Sequence, residues 1–521
     1  MKHIRILIFC CVLSPAAVAQ STQPVQTPVA PEQVPLLRPW LQTQNAAGLQ
    51  WSDVPAAGYT AFGTQQENGD FKKSQQPESD RQLLFHSSRY QPLKKGVLYG
   101  SFNYIQQWSG QVHWSDVLNP YRGTPYIMAD SIGGDWKKQR YDLELKAATA
   151  RLANNKLVLG AGVRYSVYTG ARQNDPRPLN NAGELTLTPS LVYQLGKRQQ
   201  IGLSGLYGFY KEDISFELKN TNVTHSLYKL LGLGQVSSPP SILAVSASRY
   251  YNGKKYGGAL QYSISGQHWQ WLTEASYASY TEKVTDGSGI PLLSGTWKKK
   301  DYQLRSVWQY TAADYAHRIT AVYKMNDGSG IESHQKLVDG FWQTILEATF
   351  YTATQSTGRL EYLLMKQRTK DQYAWYAKAG ITWSDTENKY LVPVSRQQYS
   401  SLRYDITAAR NWSLGTYSGI EAQVQAAYRT NLNAYLNYSL MTNSSNIVAQ
   451  QVLYPDHDYY TANAVEAGAS VQYHFSWKEA AAARFFLRLN AVTTQRTAAT
   501  ALPYGPDGSR QRFAFTIGAF Y

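Results

Sequence analysis

The chain has 521 residues, a formal net charge of +15, 43% hydrophobic residues and a mean hydropathy of −0.43. Its only cysteines, Cys10 and Cys11, stand near the start, which excludes a disulfide framework, a zinc–thiolate centre and a cysteine nucleophile from the rest of the chain. Beyond the N-terminus no run approaches the roughly eighteen apolar residues of a spanning helix, so a helical membrane protein is also excluded.

The N-terminus has the three parts of a secretory signal peptide. Lys2 and Arg5 form a basic start, residues 6–18 are apolar, and small residues stand at Ala17 and Ala19. This pattern predicts that residues 1–19 are a signal peptide cleaved after Ala19. Because export argues against a nucleic-acid partner, the basic charge favours lipopolysaccharide, acidic substrates or an anion-attracting lumen.

Two further segments precede the regular part of the chain. Residues 20–40 are rich in Pro and Gln and predict an extended periplasmic leader. Residues 41–93 have several Gly and aromatic residues but no clear period, so they predict a plug inside a barrel or a periplasmic cap. One run among them resembles the Asn-Pro-Ala element of long-chain fatty-acid transporters, which implies a segment that enters the barrel. The run is Asn45, Ala46, Ala47, Gly48 and Leu49, with Ala46 in place of the proline. A plugged lumen is favoured, and an open porin lumen is the alternative.

Residues 94–521 alternate polar and apolar side chains with the period of two that a strand requires. Tyr141, Leu143 and Leu145, for example, share one face of a strand, and charged residues share the other. The chain also carries 40 Tyr, 14 Trp and 15 Phe, and aromatic residues are favoured at bilayer interfaces.

The sequence therefore predicts an all-β fold, a transmembrane antiparallel β-barrel of about sixteen strands, within a range of about fourteen to eighteen. Short periplasmic turns and long extracellular loops should alternate along it. Residues 343–354 are strand-like, but a spanning strand there would place the long segment 431–462 in the periplasm. They are therefore interpreted as an extracellular extension. A soluble β-sandwich is the rival fold.

Residues that alternate with the apolar positions of a predicted strand should point into the lumen, and a set of charged residues occupies such positions. They are Arg140, Asp142, Glu144, Lys146, Arg164, Arg305, Glu421, Glu466, Arg484 and Arg488. A ladder of mixed charge can tune the selectivity for a solute. The same charges can instead pair with one another, or with a plug, and brace a wide barrel. Both interpretations stay open on the sequence alone.

The chain ends on Phe520 and Tyr521. A last strand that stops on an aromatic residue resembles the signal recognised by the outer-membrane barrel assembly machinery, and the resemblance implies that this machinery is a partner. An ordinary edge strand that ends in Tyr is the alternative.

Two loop passages, residues 119–139 and 170–180, resemble a Bacteroidota family of outer-membrane barrels of about 500 residues, known as a domain of unknown function. The resemblance implies the outer membrane of a Gram-negative bacterium, with outer-membrane lipid and lipopolysaccharide as surroundings. Such families often stand beside TonB-dependent receptors and surface lipoproteins, which implies a part in nutrient or metal uptake. The family resemblance supplies no functional residues for this chain.

Two loop segments contain residue types that could carry chemistry. Residues 113–116 include His, Ser and Asp, and residues 456–458 read Asp-His-Asp, as a hydrolase or a metal site would need. Nothing in the sequence places the two segments side by side, and no phosphate-binding loop or zinc spacing is present. We therefore expect no catalytic residues, no metal and no cofactor, in a protein that is not an enzyme.

The predicted function is that of an outer-membrane channel or transport component, alone or as an accessory to a TonB-dependent uptake system. The alternative is a non-transporting scaffold that binds a partner protein or a glycan through its outer loops. The longest of these loops are expected at 213–254, 327–356 and 431–462.

Overall fold

The computed structural model describes residues 32–237, 241–243, 246–287, 290–369, 372–415, 418–441, 446–476, 483–500, 502 and 505–521. The predicted signal peptide, residues 1–19, and residues 20–31 of the predicted leader lie outside the described residues. Within the described ranges, no helix is both long and apolar enough to cross a membrane.

Eighteen long strands form one closed antiparallel barrel, which confirms the all-β class. The barrel closes where β1 pairs with β22, from Tyr59 opposite Phe520 to Gly69 opposite Arg510. Its strands are β1 (Ala57–Gly69), β2 (Ser79–Leu93), β3 (Gly96–Val112), β5 (Gly134–Thr149), β6 (Leu157–Arg172), β7 (Arg177–Gln194), β8 (Gln199–Glu217), β12 (Ser246–Ser265), β13 (Trp269–Asp286), β14 (Leu292–Ala312), β15 (Tyr315–Val338), β16 (Phe341–Thr369), β17 (Gln372–Tyr390), β18 (Ser395–Ser413), β19 (Ser418–Asn437), β20 (Ala464–Phe475), β21 (Arg484–Arg496) and β22 (Ser509–Phe520). Four short strands lie outside this sheet, namely β4 (Met128–Ala129), β9 (His225–Gly232), β10 (Gln235–Val236) and β11 (Ser241–Leu243).

The strand number corrects the prediction of about sixteen, and the difference lies near the N-terminus. β1 and β2 occupy most of residues 57–93, which were expected to form a plug or a cap, so that prediction is wrong for this part of the chain. The period of β1 is hidden because small residues such as Ala61 and Gly63 occupy its inner face. Its outer face mixes Phe62 with polar residues such as Thr64, so no apolar row marks it as a strand.

The predicted alternation is confirmed in the wall of the barrel. On β5, Tyr141, Leu143 and Leu145 are exposed on the outside, whereas Asp142 and Glu144 are half-buried on the inside. Large apolar side chains are exposed on strand after strand in this way. A soluble protein would cover so large an apolar surface, and a bilayer covers it in an outer-membrane barrel.

The two ends of the barrel differ. One end, which contains Ala57 and Phe520, is here called the terminal end. The opposite end is here called the loop end. Short connections, such as residues 195–198, lie at the terminal end. The longest connections, including 113–133 and 438–463, lie at the loop end, as the alternation of short turns and long loops predicted.

Chain from the longest loops fills the inside of the loop end. Residues 113–133, here called the inner loop, include β4, which pairs with β9 of the connection after β8. β9 also pairs with β10 and β11, and a π-helical turn (Ala449–Leu453) leads into α1 (Tyr454–Thr461). The inner loop, β9 and the π-helical turn share one hydrophobic cluster with wall residues such as Trp297.

The hairpin of β15 and β16 protrudes from the loop end. Pairing with β14 extends only to Glu332, and pairing with β17 begins only at Tyr351, but the hairpin itself continues to its turn at 339–340. Residues 343–354, predicted as an extracellular extension, belong to β16, and most of them lie in this protruding part. They form no separate spanning strand.

The last two residues lie at the seam of the barrel. The amide of Tyr521 donates to the carbonyl of Gly58 at 3.0 Å, and the amide of Gly58 donates to the carbonyl of Tyr521 at 2.6 Å. Phe520 is buried inside, stacked on Tyr59 and Phe486, whereas Tyr521 is exposed outside. Both residues help to close the barrel, and their recognition by the assembly machinery stays a prediction.

Candidate functional site

The N-terminal segment, residues 32–56, lies inside the terminal end of the barrel. It touches strands around most of the wall, from β21 through β15 and β8 to β3. One short segment can reach strands on opposite sides only from the lumen. Its 3-10 helices are Val34–Leu37, Pro39–Gln42 and Ala46–Trp51. All five residues that resemble the fatty-acid-transporter element are buried there, namely Asn45, Ala46, Ala47, Gly48 and Leu49.

Asn45 is the centre of the contact between this segment and the wall. Its side-chain Nδ2 donates to the Leu191 carbonyl of β7 and to Gln261 Oε1 of β12, both at 2.9 Å. Its Oδ1 accepts from the amide of Ala47 at 3.0 Å and so starts the third 3-10 helix. Gln261 in turn donates to Glu274 Oε2 of β13 at 2.8 Å. Because Asn45 is only 3% exposed, its loss would leave several buried polar groups without a partner.

Two wall glycines allow the segment to approach this closely. A Cβ on Gly160 would lie 2.3 Å from the amide nitrogen of Ala47, and a Cβ on Gly202 would lie 2.8 Å from Asn45 Nδ2. The contact at Gly160 is with backbone, so glycine is required there, whereas a side chain at Gly202 would displace the side chain of Asn45.

Two of the predicted lumen residues also hold the N-terminal segment. Arg488 Nη2 donates to Glu32 Oε2 at 2.8 Å, and Arg305 Nη2 donates to Gln42 Oε1 at 2.5 Å. These two charged residues therefore contact the N-terminal segment, which agrees with the interpretation that lumen charges pair with an inserted segment.

Arg122 anchors the inner loop at the other end of the lumen. Its guanidinium pairs with Glu282 of β13, lies 3.9 Å from Glu212 of β8 and stacks near the rings of Tyr210 and Tyr251. Both carboxylates are fully buried. Each accepts a further hydrogen bond from a tyrosine, at 2.6 Å, so the pairs form one connected network.

A second anchor joins the two passages that carry the family resemblance. Arg172, from residues 170–180, pairs with Asp130, from residues 119–139, and lies 2.9 Å from Asp116. All three side chains are buried. Burial raises the pKa of Asp116 well above its usual range, and the nearby Asp130 acts in the same direction. The two passages that resemble the family are thus joined at the point where the inner loop is fixed to the wall.

A chamber of about 460 Å³ lies between the inner loop and the wall of β2 to β14. This volume falls within the range typical of small-molecule sites. The charged residues that line it are Arg122, Lys138, Arg140, Glu184, Lys255, Lys299 and Asp301. The aromatic residues that line it are Tyr168, Tyr210, Tyr280 and Trp297.

The five basic side chains of the chamber are matched by Asp301 and Glu184 in its lining and by Glu212, Glu282 and Asp142 beside it. Arg122 and Arg140 are neutralised by carboxylates just outside the lining. Lys255 and Lys299 share Asp301, at 4.0 and 3.1 Å, and Lys138 Nζ donates to the Leu118 carbonyl at 3.0 Å. Three lysines therefore face Asp301 and Glu184. With aromatic faces beside them, these balanced charges suit a small polar solute.

Most of the predicted lumen charges lie elsewhere. Arg140 lines the chamber and pairs with Asp142 at 2.8 Å. Glu144 lies 2.9 Å from Lys146 and 3.3 Å from Arg164. These groups pair with one another along β5 and β6.

The remaining three predicted lumen residues lie on β19, β20 and β21. Glu466 pairs with Arg403 at 3.2 Å, and Glu421 lies near Tyr373 and Arg488. Arg484 lies near His474 and Arg368 at the terminal end. None of the three reaches the chamber.

Sequence reasoning missed most of the residues that build the chamber. Glu212 and Glu282 alternate with outward residues, so their parity could have found them, but Glu212 was the last residue of a predicted strand and Glu282 began a segment that was assigned to a loop. Arg122 carries no periodic signal because it lies in a loop. Its place within the family-like passage 119–139 was the signal available.

The loop segments considered for chemistry have structural partners. Asp456 accepts from the amide and the hydroxyl of Ser74 at 2.7 and 2.8 Å, and Asp458 pairs with Arg496 at 2.5 Å. In the part of the chain that the structure describes, no three His, Cys, Asp or Glu side chains are grouped to hold a metal ion. That the protein is not an enzyme stays a prediction.

A model described as a family of unknown function (DUF6850) matches residues 46–521. The ferric yersiniabactin uptake receptor FyuA from Yersinia pestis is 11% identical, with a TM-score of 0.41 over 90% of this chain and 80% of that one. A Pseudomonas aeruginosa FadL homologue is 10% identical, with a TM-score of 0.33 over 95% of this chain and 94% of that one. The copper transporter OprC is 8% identical, with a TM-score of 0.40 over 89% and 80%. No curated protein matches the sequence.

Proposed function

The chain belongs to this family of unknown function, DUF6850, and we propose that it acts as an outer-membrane transport component for a small polar solute. The chamber is the observation that carries the proposal, because it lies within the lumen and presents charged and aromatic groups to it. The inner loop and the N-terminal segment are held to the wall by side chains, not by strand pairing with it. Either can therefore move while the eighteen strands stay paired.

We further propose that the loop end faces the outside of a Gram-negative cell and the terminal end faces the periplasm. Long loops outside and short turns inside are the common arrangement in such barrels. The resemblance of residues 119–139 supports a Bacteroidota origin. A solute would then enter past the inner loop and leave past the N-terminal segment.

Removal of residues 32–56 is expected to open the terminal end. The shortened chain keeps β1 and β2, so the barrel can still close against β22. In planar lipid bilayers the full chain should conduct little current. The shortened chain that also carries Arg122→Ala, which loosens the inner loop at the other end, should conduct, because neither end of the lumen is then held shut.

The control for this experiment removes residues 336–343, which form the tip of the protruding hairpin. Its conductance should equal that of the full chain. If the barrel with both changes folds but conducts no current, the lumen is not a path for solutes and the transport proposal fails.

A second candidate function is that of a scaffold, and the protruding hairpin favours it. Phe341 and Ile345 near its turn are 73% and 69% exposed. Apolar side chains this exposed outside a membrane often mark a protein interface. The occupant we propose is a TonB-dependent receptor or a surface lipoprotein, the neighbours that the sequence resemblance implies.

A photo-crosslinking residue at position 341 should capture one discrete protein in native outer membranes. The same residue at position 323, where Tyr323 faces the lipid, serves as the matched control and should capture none. The double change of Phe341→Ser and Ile345→Ser should abolish copurification of that protein while the barrel still assembles. Capture of lipid alone at position 341 would remove the scaffold candidate.

A further inference from the structure

One sector of the outer wall carries a group of lysines that point away from the lumen. They lie on β8, β12, β13 and β14, at the loop-end side of each strand, and all are exposed. They lie on the same outward face of these strands as the exposed rings of Tyr256, Tyr277 and Tyr302. The five, here called the lysine patch, are Lys211, Lys254, Lys283, Lys298 and Lys300.

Strand register makes the lysine patch one continuous surface. Lys254 of β12 and Lys298 of β14 stand on either side of Thr281 of β13. Lys283 lies on the next outward position of β13, opposite Asn252. With strands about 4.8 Å apart, Lys254 and Lys298 start about 10 Å from each other, so their flexible side chains can meet one anionic group between them.

Three of these lysines lack a compensating carboxylate. Lys211 pairs with Asp213 at 2.7 Å, and Lys300 stands opposite Asp327 in the register. Among the described residues, no carboxylate forms an ion pair with Lys254, Lys283 or Lys298.

The outward charges of β17 and β18 contrast with the lysine patch. There Glu387 lies 2.7 Å from both Lys389 and Arg396, so each of these basic side chains has a carboxylate partner. The unbalanced positive charge of the lysine patch is thus a local feature of the wall between β8 and β14.

The depth of the lysine patch places it at a lipid headgroup. A row of aromatic rings, with Tyr207 beside Tyr256 and Tyr277 beside Tyr302, lies directly below it toward the terminal end. At about 3.4 Å per residue and a tilt of about 40°, the stretch from Tyr302 to Tyr310 covers on the order of 20 Å, close to the apolar height of such barrels. The lysines therefore follow the aromatic girdle that marks the membrane surface.

We infer that Lys254, Lys283 and Lys298 bind the phosphate of a glycolipid in the outer leaflet, the lipid A part of lipopolysaccharide. Basic side chains near a membrane surface attract anionic headgroups. The outward hydroxyl of Thr281 and amide of Asn252 lie among these lysines, where the sugar of such a lipid would stand. This site lies outside the lumen, so it does not depend on whether the barrel transports a solute.

The test uses the full chain, folded in detergent and freed of bound lipid, with purified lipid A as the probe. Native mass spectrometry counts the lipid A molecules retained by each barrel. The triple variant Lys254→Gln, Lys283→Gln, Lys298→Gln should bind lipid A at least tenfold more weakly, because each basic residue contributes about fivefold. The matched control Lys389→Gln, Arg396→Gln should stay within twofold of the unchanged chain.

Two further arms identify the source of the phosphate. Phosphatidylglycerol and inorganic phosphate should bind much more weakly than lipid A, and with little dependence on the three lysines. Equal lysine-dependent binding of either one would overturn the assignment to a glycolipid. Lipid A binding that survives in the folded triple variant would overturn the site itself, and the heat-modifiable gel shift of a barrel shows that each variant has folded.

Discussion

Replacement of Arg122 with alanine should release the inner loop and open the chamber toward the loop end. The change leaves Glu212 and Glu282 buried without their cation, and breaking a buried ion pair in this way costs about 3–5 kcal/mol. The Arg172 anchor and the hydrophobic cluster of the inner loop remain, so the loop should open far more often but not leave the lumen for good. The barrel itself should remain, because strand pairing does not involve Arg122.

Limited proteolysis is the measurement for Arg122→Ala. Cleavage within residues 113–133 should become at least tenfold faster than in the unchanged protein. The control is Arg177→Ala, which removes a partly exposed ion pair with Asp175 at the same end, a pair that contributes about 0–1 kcal/mol. If both variants resist the protease equally, the Arg122 network does not hold the loop.

Replacement of Gly160 with valine should displace the N-terminal segment from the terminal end. The new Cβ would lie 2.3 Å from a backbone atom of Ala47, and backbone cannot rotate away as a side chain can. Overpacking of this kind costs about 1–3 kcal/mol. Undocking relieves the clash, so conductance in planar bilayers should rise toward that of the chain without residues 32–56, with all of these barrels compared in the Arg122→Ala background that loosens the loop end.

Gly162→Ala is the matched control for Gly160→Val. Gly162 lies on the same strand and the same face, but a Cβ there meets only the hydroxyl of Thr188, which can rotate. Its conductance should stay at the level of the unchanged protein. A closed lumen in a folded Gly160→Val barrel would show that the segment is held by contacts other than this fit.

The barrel class could be predicted from the sequence because alternation is a local property of each strand. On β5, the exposed row of Tyr141, Leu143 and Leu145 is legible in the sequence itself. β1 and β2 could not be recognised in the same way, because Ala61 and Gly63 on the inner face and Thr64 on the outer face leave no contrast between the two faces. This lack of contrast is why the sequence prediction was two strands short.

The chamber could not be predicted, because it is formed by residues distant in the sequence. The role of Arg122 is apparent only from its contacts with Glu212 and Glu282, and nothing in the sequence indicates that these three residues are close together. The buried Asn45 differs, since the resemblance of residues 45–49 to a short known element already implied a segment that enters the barrel. Local patterns therefore found the wall and the inserted segment, and only the structure brought the inner loop to them.

The N-terminal segment and the inner loop are held in chemically different ways. Asn45 holds the segment through amide and carbonyl groups that keep the same charge at any ordinary pH, in a cradle that depends on the absence of a Cβ at Gly160. Arg122 and Arg172 hold the inner loop through buried charges. Although burial acts to raise the pKa of Asp130, Arg172 lowers it, so the stability that their pair contributes is lost as the pH falls through that lowered pKa. Acid should therefore loosen the inner loop, while the Asn45 contacts of the N-terminal segment persist.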